Sequence, residues 1–278
     1  MATTTRAHLL GQAALWAFIL AGLLFMVVPG VWMVLSSFKT RAEITAVPLT
    51  LLPEAFRWDN YARAIDQMKF TRVFMNSLVV TTAVTLINLL TATWGGYTFG
   101  KLRWPGRDRV FMLLLTTLMI PGFLTIIPRY VLVSKLGMVN SYSGMIVPFM
   151  MGVFGIFLTK QYMLSIPDEL VDAAKVDGCS ALGIYWRIIV PLCRPIIAVL
   201  GIFVFEWSWD DLLWGILILT DRTMWTLPVA IANLRLQAGN LVELQMAGST
   251  MSVVPVLIVF VLLQRHIIRG VALSGLKG

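Results

Sequence analysis

Charged residues are scarce in this chain of 278 residues, where Asp, Glu, Lys and Arg together make up 13%. A soluble globular domain usually has about 25% charged residues, so the composition argues against a soluble protein. The formal net charge is +8, but basic residues collect at the boundaries of membrane helices. The charge therefore gives no reason to expect a nucleic-acid partner.

Cysteine and histidine are scarcer still. The only cysteines, Cys179 and Cys193, are too far apart for a CxxC motif, and the only histidines are His8 and His266. Metal and redox motifs need several such side chains at short spacings. The sequence therefore predicts no metal site, and both cysteines are interpreted as reduced, buried thiols.

A complete phosphate-binding loop is also missing. Residues 95–101 read GGYTFGK and match the start of such a loop, but the motif requires Ser or Thr at the next position, where this chain has Leu102. We therefore expect no nucleotide on this chain. The sequence also predicts no cofactor and no catalytic residue. The glycines at 95, 96 and 100 are interpreted instead as positions where membrane helices pack closely.

Hydrophobic residues make up 58% of the chain and form long runs. Five runs contain no Asp, Glu, Lys or Arg, at 9–38, 73–100, 110–128, 136–159 and 244–264. A sixth run, 195–220, is apolar except for Glu206, Asp210 and Asp211. Because a helix needs roughly 20 apolar residues to cross a bilayer, the sequence predicts an all-α integral membrane protein with six transmembrane helices.

The six spans are expected to form a single transmembrane domain over residues 1–278. Their approximate bounds are 10–35, 74–100, 110–132, 143–163, 195–220 and 244–264, with a connecting loop at 164–194. The first run is far longer than the roughly 7–15 apolar residues of a signal peptide, so it is interpreted as a retained helix.

Basic residues in one short loop predict the orientation. The loop 101–109, between the second and third spans, contains Lys101, Arg103, Arg107 and Arg109, and the C-terminal tail contains Arg265, Arg269 and Lys277. Short loops rich in Lys and Arg face the cytoplasm. An even number of spans then leaves both termini on the cytoplasmic side, together with the loop 164–194.

Capping residues in the loop after the fourth span predict two short helices. Ser165 is expected to cap the first helix, with Pro167 in its first turn, and Gly178 is expected to end it with positive φ. Ser180 is expected to cap a second helix, and Pro191 to stop it.

The same loop has features of a contact surface. Ala173 and Ala174 leave one side of the first helix without bulky side chains, so another protein could approach its backbone closely. The apolar residues that would extend this surface are Leu182, Ile184, Tyr185, Trp186 and Ile188. An amphipathic loop that simply rests on its own helix ends is the alternative.

The order of residues in this loop resembles a known motif. The pattern D-A-A-x3-G-x9-I-x-V-P, from Asp172 to Pro191, is similar to the EAA motif of ABC-importer permeases, with Asp in place of Glu and Val in place of Leu. The resemblance implies that this loop docks into a cleft of a separate ATPase subunit. The docking residues that it implies are Glu169, Asp172, Ala173, Ala174, Asp177, Gly178, Ile188 and Pro191.

Further segments extend the resemblance along most of the chain. LSSFKTRAEI at 35–44, LRWPGRD at 102–108 and the long segment 119–148 are similar to maltose-type permeases. QRHIIRGVALSGLKG at 264–278 is similar to the C-terminal tail of the second permease subunit in sugar importers. The resemblance implies the type I ABC-importer permease fold in a bacterial or archaeal plasma membrane. It also implies a homologous second permease, an ATPase dimer that holds ATP and Mg, an extracytoplasmic solute-binding lipoprotein or periplasmic protein, and a sugar or related polyol as substrate.

The fifth span contains a cluster of acids and tryptophans. These residues are Glu206, Trp207, Trp209, Asp210, Asp211 and Trp214. Acids within a span are costly and usually face a wet cavity; carboxylates accept hydrogen bonds from sugar hydroxyls, and indoles stack on pyranose rings. The cluster is therefore a candidate substrate pathway.

Other interpretations of this cluster remain open. It could bind a cationic solute or belong to an aromatic belt near the outer headgroups. In an ion-coupled secondary transporter, Glu206, Asp210 and Asp211 would relay protons. A membrane scaffold without transport would leave the acids unexplained.

Overall fold

The computed structural model describes residues 2–236 and 241–275, and these residues form helices without any strand. The all-α prediction is therefore confirmed for this part of the chain. The helices form two compact units, one of Met1–Phe70 with Ile231–Val253 and one of Thr71–Ala230 with Val254–Gly278.

The first unit contains the long N-terminal helix and two short helices. Their bounds are α1 (Ala2–Ser36), α2 (Arg41–Thr45) and α3 (Asp59–Met68). Thr40 and Glu43 form a capping box at the start of α2. The buried Asn60 side chain donates to the carbonyls of Ser37 and Lys39, both at 2.9 Å. The segment between α1 and α3 is thus ordered by hydrogen bonds to its own backbone.

The second unit contains most of the remaining helices, while α4, α14 and α15 have residues in both units. The α-helices are α4 (Phe70–Gly100), α5 (Arg107–Thr116), α6 (Ile126–Lys135), α7 (Tyr142–Ile146), α8 (Val153–Leu164), α9 (Asp168–Val176), α10 (Ala181–Ile184), α11 (Val190–Leu192), α12 (Arg194–Trp209), α13 (Leu212–Ile218), α14 (Leu227–Leu236) and α15 (Val242–Gly275). Short 3-10 turns lie at Thr117–Met119, Gly122–Thr125 and Val147–Phe149, and a π-helical turn at Tyr185–Ile189.

Three helices among the described residues are long and apolar enough to cross a membrane alone, at Ala14–Ser36, Phe70–Gly100 and Val242–Gln264. Three bent pairs also qualify: Arg107–Met119 with Gly122–Lys135 (93°), Tyr142–Phe149 with Val153–Leu164 (43°), and Ala181–Leu192 with Arg194–Trp209 (77°). If each pair is one span, the total is six, the number that the sequence predicts. The third pair, however, begins within the predicted loop 164–194 and ends at Trp209, before the predicted end of the fifth span at 220.

Pro121 lies at the sharpest of these breaks. Proline has no backbone N–H and disfavours helical geometry in the residue before it. Ile120 accordingly has an extended backbone, with φ −85° and ψ 116°. The third predicted span is therefore two helices joined at a bend and not one straight helix.

Glycines bring α4 and α8 close together. A Cβ atom at Gly96 would lie 2.4 Å from Thr159 Oγ1, and one at Gly155 would lie 3.0 Å from Ala92 Cβ. Thr159 uses the close approach to donate to the Ala92 carbonyl at 2.7 Å. The predicted role of glycine in close packing is confirmed at Gly96, whereas a Cβ at Gly100 would make only ordinary contacts at 3.6 Å.

Candidate functional site

The loop after α8 has the predicted order of helix, glycine turn and helix, but its first cap differs. Helix α9 begins at Asp168 with Pro167 in the capping position and no side-chain cap. Ser165 instead ends α8, and its hydroxyl donates back to the Tyr162 carbonyl at 2.7 Å. The prediction that Ser165 caps α9 is wrong because its hydroxyl bonds within the preceding helix.

Gly178 ends this helix as predicted. Its φ is +80°, in the left-handed region that favours glycine. Its N–H donates to the Lys175 carbonyl at 3.0 Å, and the Cys179 N–H donates to the Ala174 carbonyl at 2.9 Å, so the last carbonyls of α9 are satisfied. Apart from Gly178 and its two chain neighbours, no residue has an atom within 4 Å of the position where a Cβ of Gly178 would be. The turn therefore leaves its backbone open on one side.

The second helix begins as predicted but ends later. The Ser180 hydroxyl accepts from the Gly183 N–H at 3.2 Å and caps α10. The prediction that Pro191 stops the helix is wrong: Pro191 lies in the first turn of α11, which runs to Leu192. The helix thus continues through Pro191 directly after the π-helical turn Tyr185–Ile189.

Helix α9 has one exposed face and one buried face. Glu169, Asp172, Ala173, Asp177 and Gly178 are all exposed. The apolar residue Val176 is also exposed, at 88%. This face is open and has small side chains beside the carboxylates of Glu169 and Asp172, and Lys175 Nζ lies 2.8 Å from Asp172 Oδ1.

Other predicted contact residues lie beneath this face. Ala174 is 5% exposed and packs in a core cluster with Ile184 and Tyr185, against which Ile188 also packs. Pro191 is half-buried. The prediction that Ile184 and Tyr185 offer a contact surface is therefore wrong, and Ala174 supports the exposed face from within instead of forming part of it.

One stripe of α4 holds this loop in place. Thr93, Tyr97 and Lys101 follow one another at intervals of four residues. Thr93 and Tyr97 therefore lie on one side of α4, and Lys101, the first residue after the helix, continues that line. The Thr93 hydroxyl lies 2.8 Å from the Tyr185 hydroxyl, and the Tyr97 hydroxyl donates to the Ala181 carbonyl at 3.0 Å. The loop is thus fastened to the end of the second predicted span.

Lys101 completes the stripe. Its side chain is 2% exposed, and Nζ donates to the Ile166 carbonyl and to Asp168 Oδ1, both at 2.5 Å. This hydrogen bond and the positive charge of Lys101 lower the pKa of Asp168. The sequence indicated Lys101 only as a marker of orientation. Its tertiary role has no signal in the sequence apart from its position just after an apolar run.

The acidic and aromatic cluster lies at an interruption of the fifth predicted span. Helix α12 ends at Trp209, and α13 begins at Leu212 with Asp211 as its cap. Asp211 Oδ1 accepts from the Trp214 N–H at 3.1 Å. The expected continuous helix over 195–220 is wrong, because Asp211 satisfies the N–H groups of a new helix start.

The structure separates the members of this cluster. Trp209 is 2% exposed and packs against Phe74 and Phe205, with ring centroids at 5.8 and 5.7 Å. Trp209 is therefore a core residue. Glu206 and Asp210 are exposed.

Trp207, Asp211 and Trp214 line one cleft of about 400 Å³. Trp207 is 50% exposed, while Trp214 is 2% exposed and its Nε1 donates to the Gly144 carbonyl at 3.0 Å. Arg129 and Phe149 also line this cleft, although the sequence analysis did not single them out. An arginine within the predicted span 110–132 is the signal that could have found Arg129.

Apolar bent spans, a fastened helical loop with an open acidic face, and a polar aromatic cleft are the features of a membrane transport subunit. Comparison with known proteins agrees with this class. Residues 92–273 match the family described as "Binding-protein-dependent transport system inner membrane component". An arabinooligosaccharides transport system permease protein from Halalkalibacterium halodurans is 33% identical over 249 residues, which cover 88% of this chain and 89% of that protein.

Two solved structures have the same fold. One is a bacterial ABC transporter involved in the import of the acidic polysaccharide alginate, with 22% identity, a TM-score of 0.79 and coverage of 94% of this chain and 96% of that chain. The other is a bacterial alginate ABC transporter in complex with an alginate pentasaccharide-bound periplasmic protein, with 17% identity, a TM-score of 0.64 and coverage of 91% and 92%.

The chain therefore belongs to the family of binding-protein-dependent transport system inner membrane components. It is a membrane permease subunit of an ABC transporter and not an enzyme. These relatives support the ABC permease and give no support to the alternative of an ion-coupled carrier. The side chains of Arg265 and Arg269, and the whole of Lys277, lie outside the described residues, so the structure adds nothing to their predicted role in orientation.

Proposed function

We propose that this permease imports a sugar or related polyol and that its loop 165–191 docks onto a separate ATPase. The observation that carries the proposal is the exposed face of α9, where Asp172 and Ala173 are followed by the open turn at Gly178. The EAA-like pattern of the same residues supports it. ATP and Mg belong to the ATPase and not to this chain.

The remaining partners follow from the relatives. A relative that transports arabinooligosaccharides and a structural neighbour in complex with a sugar-bound periplasmic protein support a sugar substrate and an extracytoplasmic solute-binding protein. We further propose a homologous second permease beside this chain. The basic loop 101–109 supports an orientation with both termini in the cytoplasm.

The fastening of the loop to α4 supports a mechanism. Movement of the ATPase would carry α9 with it, and the bonds of Thr93, Tyr97 and Lys101 would pass the movement to α4. Because α4 is a continuous helix of 31 residues, displacement at its end is transmitted along its length. Rigid displacement of helices around a site is the general basis of alternating access.

The substrate would then pass near the interrupted fifth span. Trp207, Asp211 and Trp214 line a common cleft, and the exposed acids Glu206 and Asp210 lie in the same segment. Trp209 is excluded from this pathway because it is buried against other aromatic rings.

Substitution of Gly178 tests the docking directly. Gly178→Asp adds a charged side chain to the open turn and strains a backbone with φ +80°. In the full transporter reconstituted in liposomes, we expect it to abolish the ATP hydrolysis that sugar-loaded binding protein stimulates.

Gly137→Asp is the matched control. Gly137 also has a positive φ, +67°, and open space around it, but it lies in the predicted outer turn. The control should retain stimulated hydrolysis. Equal activity of the two variants would contradict the docking proposal.

A further inference from the structure

A guanidinium group stands out in the cleft beside α13, where Arg129 is half-buried. Arg129 lies in the third predicted span, where a charge is costly unless it faces a wet cavity or a partner. Its Cζ lies 4.9 Å from the ring centroid of Phe149 and 5.7 Å from that of Trp214. Among the described residues, its hydrogen bond is from Nη2 to Thr125 Oγ1, at 3.3 Å. Most of its five N–H donors are therefore available to the cleft.

The other polar wall of the cleft is a single carboxylate. Asp211 is the only acid and Arg129 the only base among the residues that line it, so the formal charge of the lining is zero. Asp211 Oδ1 already accepts from the Trp214 N–H, which fixes the carboxylate and leaves its other oxygen as an acceptor.

Aromatic rings form the rest of the binding surface. Trp207 and Phe149 pack edge to face, with centroids 4.9 Å apart, and half of the Trp207 side chain is exposed. An exposed indole face fits the apolar face of a pyranose or furanose ring. The volume of about 400 Å³ falls within the usual range for small-molecule sites.

Charge decides which sugars suit this cleft. The hydroxyl groups of one sugar ring can accept a hydrogen bond from Arg129 and donate one to Asp211. A sugar carboxylate or phosphate would also meet the negative charge of Asp211. The exposed acids Glu206 and Asp210 in the same segment add to that repulsion.

We propose that this cleft is a subsite for neutral sugar units. In this subsite Arg129 binds the substrate, and the carboxylate of Asp211 restricts that binding to uncharged sugars. The proposal rests on the proposed function of sugar import and adds the class of substrate. It sets this chain apart from its structural neighbours, which handle an acidic polysaccharide.

Saturation-transfer NMR on the full transporter in nanodiscs tests the proposal without ATP or the binding protein. The probes are arabinotriose, which is neutral, and trigalacturonate, which is acidic and of equal length. We expect transfer to arabinotriose and at least about tenfold weaker binding of trigalacturonate. Arg129→Met should weaken arabinotriose binding about tenfold, because a charge-assisted hydrogen bond is lost. Lys135→Met, which removes an exposed cation from the same helix, should have no effect.

Asp211→Asn is the complementary variant. The Asn side-chain oxygen still caps α13, while the lining gains a net positive charge, so trigalacturonate should bind at least about tenfold more tightly than to the unaltered protein. Stronger binding of trigalacturonate than of arabinotriose to the unaltered protein would overturn the proposal, as would arabinotriose binding that is unchanged by Arg129→Met. If either result were found while sugar-stimulated ATP hydrolysis still depended on Gly178, the subsite proposal would be wrong and the proposed function would remain supported.

Discussion

Lys101 shows how much one buried residue contributes to this loop. Its ammonium group donates to the Ile166 carbonyl and to Asp168, so Lys101→Met would leave that carbonyl without its charged donor. The cost of losing such a partner is about 1–3 kcal/mol. We therefore expect Lys101→Met to lower the thermal unfolding temperature of the protein in detergent.

Arg103→Met is the matched control for this experiment. Arg103 also lies near Asp168, at 4.0 Å, but its side chain is 88% exposed. Exposed ion pairs contribute little to stability, so the control should unfold at the temperature of the unaltered protein. Equal losses in both variants would indicate a general charge effect and not a specific anchor.

Asp168 gives the stability of the loop a pH dependence. The hydrogen bond from Lys101 and its charge hold the pKa of Asp168 below its usual value. Because the folded-state pKa is the lower one, the pair stabilises the fold fully above the usual pKa of about 4. That stabilisation is lost as the pH falls through the folded value.

The measurement is thermal unfolding between about pH 6 and about pH 3, for the unaltered protein and for Asp168→Asn. The unaltered protein should be the more stable at the upper end, and the two should converge at the lower end. The difference will be small because the Asp168 side chain is 61% exposed. Parallel curves over the whole range would exclude the pair as the source.

At the scale of helices, the contact of α4 with α8 depends on the absence of side chains. Gly96→Ala would put a Cβ 2.4 Å from Thr159 Oγ1 and 3.0 Å from the backbone nitrogen of Lys160. Backbone cannot move aside cheaply, so we expect a cost of about 1–3 kcal/mol in reversible unfolding.

Gly201→Ala is the control within another helix of the same unit. Its Cβ would approach only Leu89 Cδ1, at 3.5 Å, which is ordinary van der Waals contact. Because alanine favours helix over glycine, this variant should be neutral or slightly more stable. A neutral Gly96→Ala would show that α4 and α8 are further apart than described.

The ends of helices were predictable from the sequence where they depend on neighbouring residues. The turn at Gly178 and the cap at Ser180 depend on nearby backbone groups, and the structure confirms both. The prediction for Ser165 was wrong, although this residue also has the side chain of a helix cap. Its hydroxyl donates to the Tyr162 carbonyl of the preceding helix, and the sequence does not indicate which backbone group this hydroxyl bonds.

For the whole molecule, apolar runs predicted the helices because length and composition alone decide which segments suit a bilayer. They did not predict the bends, since a broken helix and a straight one have the same composition. The candidate cleft was predictable only in part. Acids and tryptophans within an apolar run identified Trp207, Asp211 and Trp214, but the burial of Trp209 and the approach of Arg129 depend on helices distant in sequence.

The central claim is that the exposed face of α9 docks onto an ATPase, and neighbouring alanines test it most directly. Ala173 is exposed, whereas Ala174 is 5% exposed. In a background with Cys179 and Cys193 replaced, the rate of labelling of Ala173→Cys by a thiol reagent is measured with and without the ATPase. We predict that the ATPase strongly slows labelling of Ala173→Cys, that Ala174→Cys labels slowly throughout, and that Leu136→Cys in the predicted outer turn is unaffected. Labelling of Ala173→Cys at the same rate with and without the bound ATPase would contradict the account.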